Sequence, residues 1–265
     1  FRPAVEVPPT GPPAVPTPVP PAGPAAAPGP APATASSPAG AGSLAAVRGR
    51  VVLLDPGHNG QNFAHPSVVN ALVNVLTQKK ECDTTGSETA GGYTEAAYNL
   101  DLATRTAAIL RAAGARAVLT RDDNGGVGPC ITARAAIGNT AHAAVALSIH
   151  ADGAAPGGRG FHVIEPVGVG YNDTIVGPSH ELALSLRSAF AAGTGEPFAS
   201  YLAGGSGLMA RAHLGGLNLS LVPKVFLESG NMRNATDAAR LSDPAYRQQE
   251  ATAIATGLAA FLSTH

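Results

Sequence analysis

The sequence predicts a single α/β domain in which helices flank a mostly parallel central sheet. From Val47 onward, short apolar runs alternate with segments whose apolar residues recur at helical spacing. Alternating strands and helices favour parallel pairing, and strands buried on both faces are continuous Val/Ile/Leu runs. The 265 residues, of which 45% are hydrophobic, suffice for one sizeable core. We therefore place one folded domain at 47–265 and a different kind of segment at 1–46.

Residues 1–46 are rich in proline and alanine. Fourteen of the 23 prolines precede residue 39, and Arg2 and Glu6 are the only charged side chains there. Such a composition cannot bury a periodic apolar face and favours extended polyproline II conformations. We expect a disordered linker or tail. A spacer and a passive remnant behind a cleaved signal peptide are both open interpretations.

Within the domain, apolar runs and helix signals predict the order of elements. The predicted strands are 47–55, 115–121, 143–152, 160–166 and 222–230. The predicted helices are 94–114, 131–142, 179–192 and a last one that begins at Pro244. Thr94, Ser179 and Asp243 are the predicted N-caps of three of these helices.

Charge and hydropathy exclude two classes of partner. The net charge is −1 and the 17 Lys and Arg residues form no dense run, so we expect no nucleic-acid partner. No stretch of about 18 consecutive apolar residues occurs, so we expect no membrane span. We expect a monomer.

The two cysteines favour a disulfide over a metal site. Cys82 and Cys130 each lie in a loop-like stretch rich in Gly, Thr and Asp, and no CxxC motif occurs. Two isolated thiols make a poor zinc site, whereas in an oxidising compartment they form a bridge. A Cys82–Cys130 disulfide is the prediction, with two free thiols as the alternative.

Three predicted strands end in a residue capable of acid–base or metal chemistry. LLDPGH ends in His58, ALSIHAD contains His150, and KVFLESG contains Glu228, while Glu95 lies in the first turn of a helix. The carboxyl ends of parallel strands share one edge, where α/β proteins usually build their sites. Burying several ionisable groups together is costly unless they are paired or bind a metal. The four groups are therefore expected to converge.

Zinc suits these residue types. A catalytic zinc takes three protein ligands from His, Asp or Glu and leaves a position for water. A further carboxylate is then needed to accept a proton from that water. Spacing alone leaves open whether Glu95 or Glu228 is the ligand.

The ordered set DPGH, TEAAYNLDLA, LTRDD, SIHAD and FLESGNMRN resembles the zinc-dependent N-acetylmuramoyl-L-alanine amidases of the Amidase_3 family over residues 49–263. The resemblance implies Zn²⁺ held by His58, Glu95 and His150, with Glu228 as the catalytic carboxylate. It further implies a secreted, periplasmic or cell-wall-associated enzyme that cleaves the bond between N-acetylmuramic acid and L-alanine in peptidoglycan fragments. A zinc peptidase or carboxypeptidase on the same scaffold and a non-catalytic peptidoglycan-binding regulator are the alternatives.

Three positions depart from the family pattern: Asn59 replaces a common glycine, Asp152 an asparagine, and Asn231 an aromatic residue. Asp55 is expected either to orient a ligand imidazole or to end the first strand. Three arginines are expected either to bind a peptide carboxylate or, by default, to form salt bridges: Arg121, Arg134 and Arg233. The histidines expected in loop, surface or core positions are His65, His142, His162, His180 and His213. The long segment 61–93 is predicted to be either a substrate-gating loop or disordered. The Gly-rich loops at 166–178 and 203–216 are candidate walls of a cleft and not phosphate loops.

Overall fold

The computed structural model describes residues 44–265. The predicted linker at 1–46 therefore lies outside the described residues except for its last three. These belong to a 3-10 helix, Leu44–Val47, in which Val47 is buried and Leu44 packs against the main core. The folded part thus begins before the predicted boundary at residue 47.

The described residues form a central sheet, a hairpin and surrounding helices. The strands are β1 (Val51–Pro56), β2 (Leu72–Asn74), β3 (Lys79–Glu81), β4 (Arg116–Leu119), β5 (Val145–Asp152), β6 (His162–Pro166), β7 (Leu208–Arg211) and β8 (Lys224–Asn231). The helices are α1 (Pro66–Val69), α2 (Glu95–Ala112), α3 (Ile131–Thr140), α4 (Asp173–Thr194), α5 (Gly215–Asn218), α6 (Ala235–Ser242) and α7 (Pro244–Leu262). Among the helices of residues 44–265, none is both long and apolar enough to cross a membrane.

Six strands form the central sheet in the order β4-β1-β5-β8-β6-β7. The first four are parallel, whereas β6 is antiparallel to β8 and carries β7 parallel to itself. The remaining two strands, β2 and β3, pair separately as an antiparallel hairpin. The predicted α/β class with a mostly parallel sheet flanked by helices is confirmed.

The two faces of the sheet pack against different parts of the structure. On one face, Val52 and Leu54 of β1 lie in the main core, where α2 and α4 cover the sheet and α7 packs on both helices. On the other face, Leu53 and Ala146 form a smaller apolar cluster with Ile137 of α3. Side chains alternate between the two faces along a strand. On this second face, the side chains that follow the apolar cluster toward the carboxyl edge are polar. These polar side chains lie next to the candidate site.

Several element boundaries differ from the prediction. The predicted loop 61–93 contains α1 and the β2–β3 hairpin, and the predicted loop 203–216 contains β7. Thr94 caps α2 as predicted, with its Oγ1 accepting from the N–H of Ala97 at 3.3 Å.

The predicted cap at Ser179 is wrong, because α4 already begins at Asp173 and continues through Pro178. Ile175 and Leu182 are buried on one face of this helix, so packing extends it past the proline. Ser179 is itself buried, and its Oγ accepts from the N–H of Lys224 at 3.0 Å.

Candidate metal centre

The turn after β1 places His58 beside His150 by means of a glycine. The N–H of Gly57 donates to the carbonyl of Ile149 at 3.0 Å, which ties the turn to β5. A Cβ built on Gly57 would lie 2.0 Å from Cε1 of His150, so the imidazole crosses the space that a side chain would need. His58 follows with a φ of 58°, a left-handed conformation that is uncommon outside glycine. The DPGH motif thus brings two imidazoles together.

Glu95 stands between the two histidines. It is the first residue of α2 and is 4% exposed. Its Oε1 lies 3.2 Å from Nε2 of His58 and 2.9 Å from Nδ1 of His150. One potential ligand atom from each of the three residues lies within 4.8 Å of the other two. The structure thus brings together His58, Glu95 and His150, three of the four groups expected to converge.

These separations fit a zinc ion. Ligands about 2.1 Å from a tetrahedral metal are about 3.4 Å apart, close to the two measured distances. The donor set, two imidazole nitrogens and one carboxylate oxygen, is also one that catalytic zinc sites use. The residues present therefore fit the metal that the family resemblance implies.

The protonation of His58 reflects its acidic surroundings. Burial opposes the charged imidazolium, yet the carboxylates of Glu95 and Asp83 outweigh burial and raise the pKa of His58 to about 10. Burial likewise opposes ionisation of Glu95, but His58 and His150 hold its pKa well below the usual value. The centre thus combines an ionised carboxylate with a position that favours positive charge.

Asp83 and Thr84 orient the His58 ring. Nδ1 of His58 lies 2.9 Å from the carbonyl of Thr84 and 3.2 Å from Oδ1 of Asp83. Because a carbonyl only accepts, Nδ1 carries the hydrogen and Nε2 is directed toward Glu95. Hydrogen bonds of this kind fix the ring of a metal ligand. Asp83 lies in the segment predicted only as loop, and no local sequence signal indicated its role.

The carboxylate of Glu95 is held on both oxygens. Oε2 accepts from the N–H of Ser87 at 2.8 Å, and Oε1 accepts from the N–H of Ala151 at 3.2 Å. A Cβ on Gly86 would lie 2.8 Å from Cδ2 of His58 and 2.9 Å from Oε2 of Glu95. The 86–87 backbone therefore packs closely against the centre and fixes the carboxylate.

Asp55 does not orient an imidazole, contrary to one of its two expected roles. Its Oδ2 accepts from Nζ of Lys224 at 2.8 Å and Oγ of Ser148 at 3.0 Å, while Oδ1 accepts from Arg134 and Thr120. Burial opposes ionisation, but the two cations hold the pKa of Asp55 far below its usual value. Asp55 is the centre of a buried polar network beneath the turn.

Arg121 and Arg134 hold the backbone of the turn. Nη2 of Arg121 donates to the carbonyl of Gly57 at 3.0 Å, and Nε donates to that of Pro56 at 3.0 Å. Arg134 donates to the carbonyls of Pro56 at 2.7 Å and His58 at 3.0 Å. Both arginines are buried, so their alternative as peptide-carboxylate binders is wrong.

Glu228 lies beside the His58–Glu95–His150 group, on strand β8 next to β5. It pairs in register with His150 of β5, and adjacent strands are about 4.8 Å apart. Burial, followed by repulsion from Glu95 and Asp152, raises the pKa of Glu228 well above its usual value. Among residues 44–265, no protein group donates a hydrogen bond to its partly buried carboxylate. The group is thus available to a water molecule or a substrate.

Cys82 and Cys130 form a disulfide that supports the same region. Their Cα atoms are 4.7 Å apart, and the bridge joins the segment before Asp83 to the start of α3. It therefore anchors the residue that orients His58.

The five histidines expected in loop, surface or core positions do not join the His58–Glu95–His150 group within the described part of the chain. Asn231 replaces the family's aromatic residue and serves the backbone: its Nδ2 donates to the carbonyls of Ala155 at 3.0 Å and Gly158 at 2.8 Å.

Residues 52–260 match the Amidase_3 family, N-acetylmuramoyl-L-alanine amidase. The chain is 37% identical over 223 residues to N-acetylmuramoyl-L-alanine amidase Rv3717 of Mycobacterium tuberculosis. The aligned residues cover 83% of this chain and 89% of that relative. The N-acetylmuramyl-L-alanine amidase Ami1 from Mycobacterium smegmatis has a similar crystal structure, with a TM-score of 0.77 and 38% identity over 83% of this chain and 99% of that one. For amidase AmiC2 of Nostoc punctiforme the TM-score is 0.58 and the identity 27%, over 79% of this chain and 94% of that one. The chain therefore belongs to the Amidase_3 family of N-acetylmuramoyl-L-alanine amidases.

Proposed function

We propose that this chain is a zinc-dependent hydrolase that cleaves the amide bond between N-acetylmuramic acid and the L-alanine of a peptidoglycan stem peptide. The observation that carries the proposal is the position of Glu95 Oε1, 2.9 and 3.2 Å from nitrogens of two histidines. Membership of the amidase family supports the same reaction. In this proposal His58, Glu95 and His150 are the zinc ligands.

Glu228 is the proton carrier in this proposal. A zinc ion bound at the centre supplies Lewis-acid polarisation of the amide carbonyl and increases the acidity of water. Glu228 accepts a proton from the attacking water on a carboxylate oxygen and then donates it to the nitrogen of the departing L-alanine. A new bond forms from the carbonyl carbon to the water oxygen as the carbon–nitrogen bond breaks. The products are a lactyl carboxylate and a free amino terminus.

The surroundings of Glu228 suit a carboxylate that first accepts a proton and then donates it. Burial and the nearby carboxylates raise its pKa, which makes the carboxylate a stronger base than an exposed glutamate. General catalysts work best when their pKa lies near the working pH. Its freedom from protein donors within residues 44–265 leaves its oxygens available for the reacting proton.

The proposed partners are muramoyl peptides from peptidoglycan, with the protein acting as a secreted, periplasmic or cell-wall-associated monomer. Peptidoglycan lies outside the cytoplasmic membrane, and the Cys82–Cys130 disulfide fits an oxidising compartment. Cell-wall turnover, remodelling or daughter-cell separation are the processes that such an activity serves.

Product identification tests the reaction. We expect zinc-loaded protein, incubated with defined muramoyl peptides, to release stem peptides with a free L-alanine amino terminus and sugars with a free lactyl carboxyl group. Mass spectrometry distinguishes these ends. A zinc peptidase would instead cut within the stem peptide, and a non-catalytic binder would release nothing; either result would contradict the proposal.

A further inference from the structure

A cationic cluster near Glu228 takes no part in holding the proposed zinc ligands. Arg211 is the last residue of β7, and its Nε donates to Sδ of Met209 at 3.0 Å. Nη1 lies 3.4 Å from Nε2 of His213. Within residues 44–265, no carboxylate lies within 4.0 Å of this half-buried guanidinium. Arginine donors in this setting are suited to an anionic ligand.

The cluster extends to Lys80 of the β2–β3 hairpin. Burial, followed by the charges of Lys80 and Arg211, lowers the pKa of His213. Two cations therefore lie near this imidazole, and no acidic group contributes to that shift. We call Lys80, Arg211 and His213 the basic cluster.

The basic cluster is held in place by hydrogen bonds across the hairpin. Oγ1 of Thr77 donates to the carbonyl of Ala212 at 2.8 Å. Nδ2 of the buried Asn218 donates to the carbonyls of Val75 at 2.8 Å and Ala212 at 2.9 Å. These bonds join the hairpin that carries Lys80 to the segment that carries Arg211 and His213. The cluster is therefore a built feature of the fold.

The cluster also lies within electrostatic reach of the proposed proton carrier. Burial dominates the raised pKa of Glu228, and the charge of Arg211 opposes that rise. The same charge acts on His162, which pairs in register with Glu228. Arg211 pairs in register with Pro166 of β6, four residues after His162, so its side chain lies on the same face of the sheet as Glu228, two strands away. A substrate that reaches Glu228 can therefore extend along this face to Arg211.

We propose that the basic cluster binds a carboxylate of the stem peptide, on the leaving-group side of the scissile bond. This subsite rests on the proposed function. The sugars of a muramoyl peptide are uncharged and the lactyl carboxyl is already part of the amide, so acidic groups occur only in the peptide. Arginine binds carboxylates through paired donors, which makes Arg211 the main recognition group. Lys80 adds positive charge, and His213 positions the guanidinium.

The test compares two substrates that differ only in charge. One is N-acetylmuramoyl-L-alanyl-D-glutamate with both glutamate carboxylates free, and the other is its diamide. We expect the zinc-loaded wild type to hydrolyse the acid with a kcat/KM about tenfold higher, as for one charge-assisted hydrogen bond. R211Q should hydrolyse both at similar rates. R116Q is the matched control, because Arg116 is an exposed arginine on β4, at the opposite edge of the sheet.

A wild type without this preference, or an R211Q variant that retains it, would overturn the subsite. Loss of the preference in R233Q instead, at an exposed arginine, would also overturn it. If the wild type hydrolyses neither substrate, the proposed function fails, and calorimetry of L-alanyl-D-glutamate binding decides the subsite independently. Binding about tenfold weaker in R211Q than in R116Q would support the cluster, and equal binding would overturn it.

Discussion

Replacing Gly57 by alanine should remove zinc binding through a steric effect on His150. The added Cβ would lie 2.0 Å from Cε1 of the ring, whereas ordinary contact begins near 3.4 Å, so the ring would have to withdraw by about 1.4 Å. Metal–ligand distances tolerate only about 0.2 Å. The stacked ring of Phe226, 5.2 Å away between centroids, also limits how His150 can move.

The expected loss is large because His150 is one of three proposed ligands. Even outer hydrogen-bond partners of metal ligands contribute about 10–100-fold to affinity, so we expect G57A to bind zinc more than about 100-fold more weakly. Competition with a chromophoric chelator measures this affinity. G177A is the matched control, because a Cβ on Gly177 would contact nothing within 4 Å. A folded G57A protein with wild-type zinc affinity would refute the steric reasoning.

Three further outcomes are expected. E228Q should keep its zinc, measured by elemental analysis, while hydrolysis falls about 10²–10⁴-fold; loss of the metal would make Glu228 a ligand. Burial opposes ionisation of Asp55, but its cationic partners depress its pKa. The ionised carboxylate therefore stabilises the folded state above the unfolded pKa of about 3.9, and this stabilisation is lost as pH falls toward the folded pKa. D55N should therefore lower the free energy of unfolding at pH 7 by about 3 kcal/mol and flatten its acid dependence in denaturant titrations; an unchanged pH profile would contradict this. Replacing Cys82 and Cys130 by serine opens a link with a sequence separation of 48 and should cost about 4 kcal/mol, whereas two titratable thiols in the native protein would exclude the bridge.

The convergence of the three proposed ligands was predictable because each belongs to a local pattern. His58 follows the apolar strand β1, His150 lies near the end of β5, and Glu95 follows a helix cap. Parallel pairing then brings strand ends to one edge, so local signals carry most of the spatial information. The apolar runs of β1, β5 and β8 likewise predicted strands, because strands buried on both faces are continuous apolar runs.

The supporting groups were not predictable, since their roles depend on contacts distant in sequence. Asp83 orients His58 across 25 residues, and Lys224 meets Asp55 across 169. A single aspartate in a loop, or a lysine at the start of an apolar strand, has no periodicity that reveals a buried partner. Arg121 was ambiguous for the same reason, because only the folded turn supplies the carbonyls that it binds.

The arrangement of strands at the edge of the sheet was also not predictable from local sequence patterns. The strand pattern at 160–166 predicts extended backbone but carries no direction, so antiparallel pairing of β6 with β8 was not foreseen. β7 has only four residues, too few for a periodic pattern to separate it from a glycine-rich loop. This edge carries Arg211, which explains why the basic cluster emerges only from the folded chain.

The anomalous X-ray signal at the zinc edge, in crystals of zinc-loaded protein, tests the proposed metal centre itself. We expect one strong peak about 2.0–2.2 Å from Nε2 of His58, a carboxylate oxygen of Glu95 and Nδ1 of His150, with the carboxylate of Glu228 outside ligand distance. A peak coordinated by Glu228 in place of Glu95, or a zinc ion bound away from both histidines, would contradict the proposed centre.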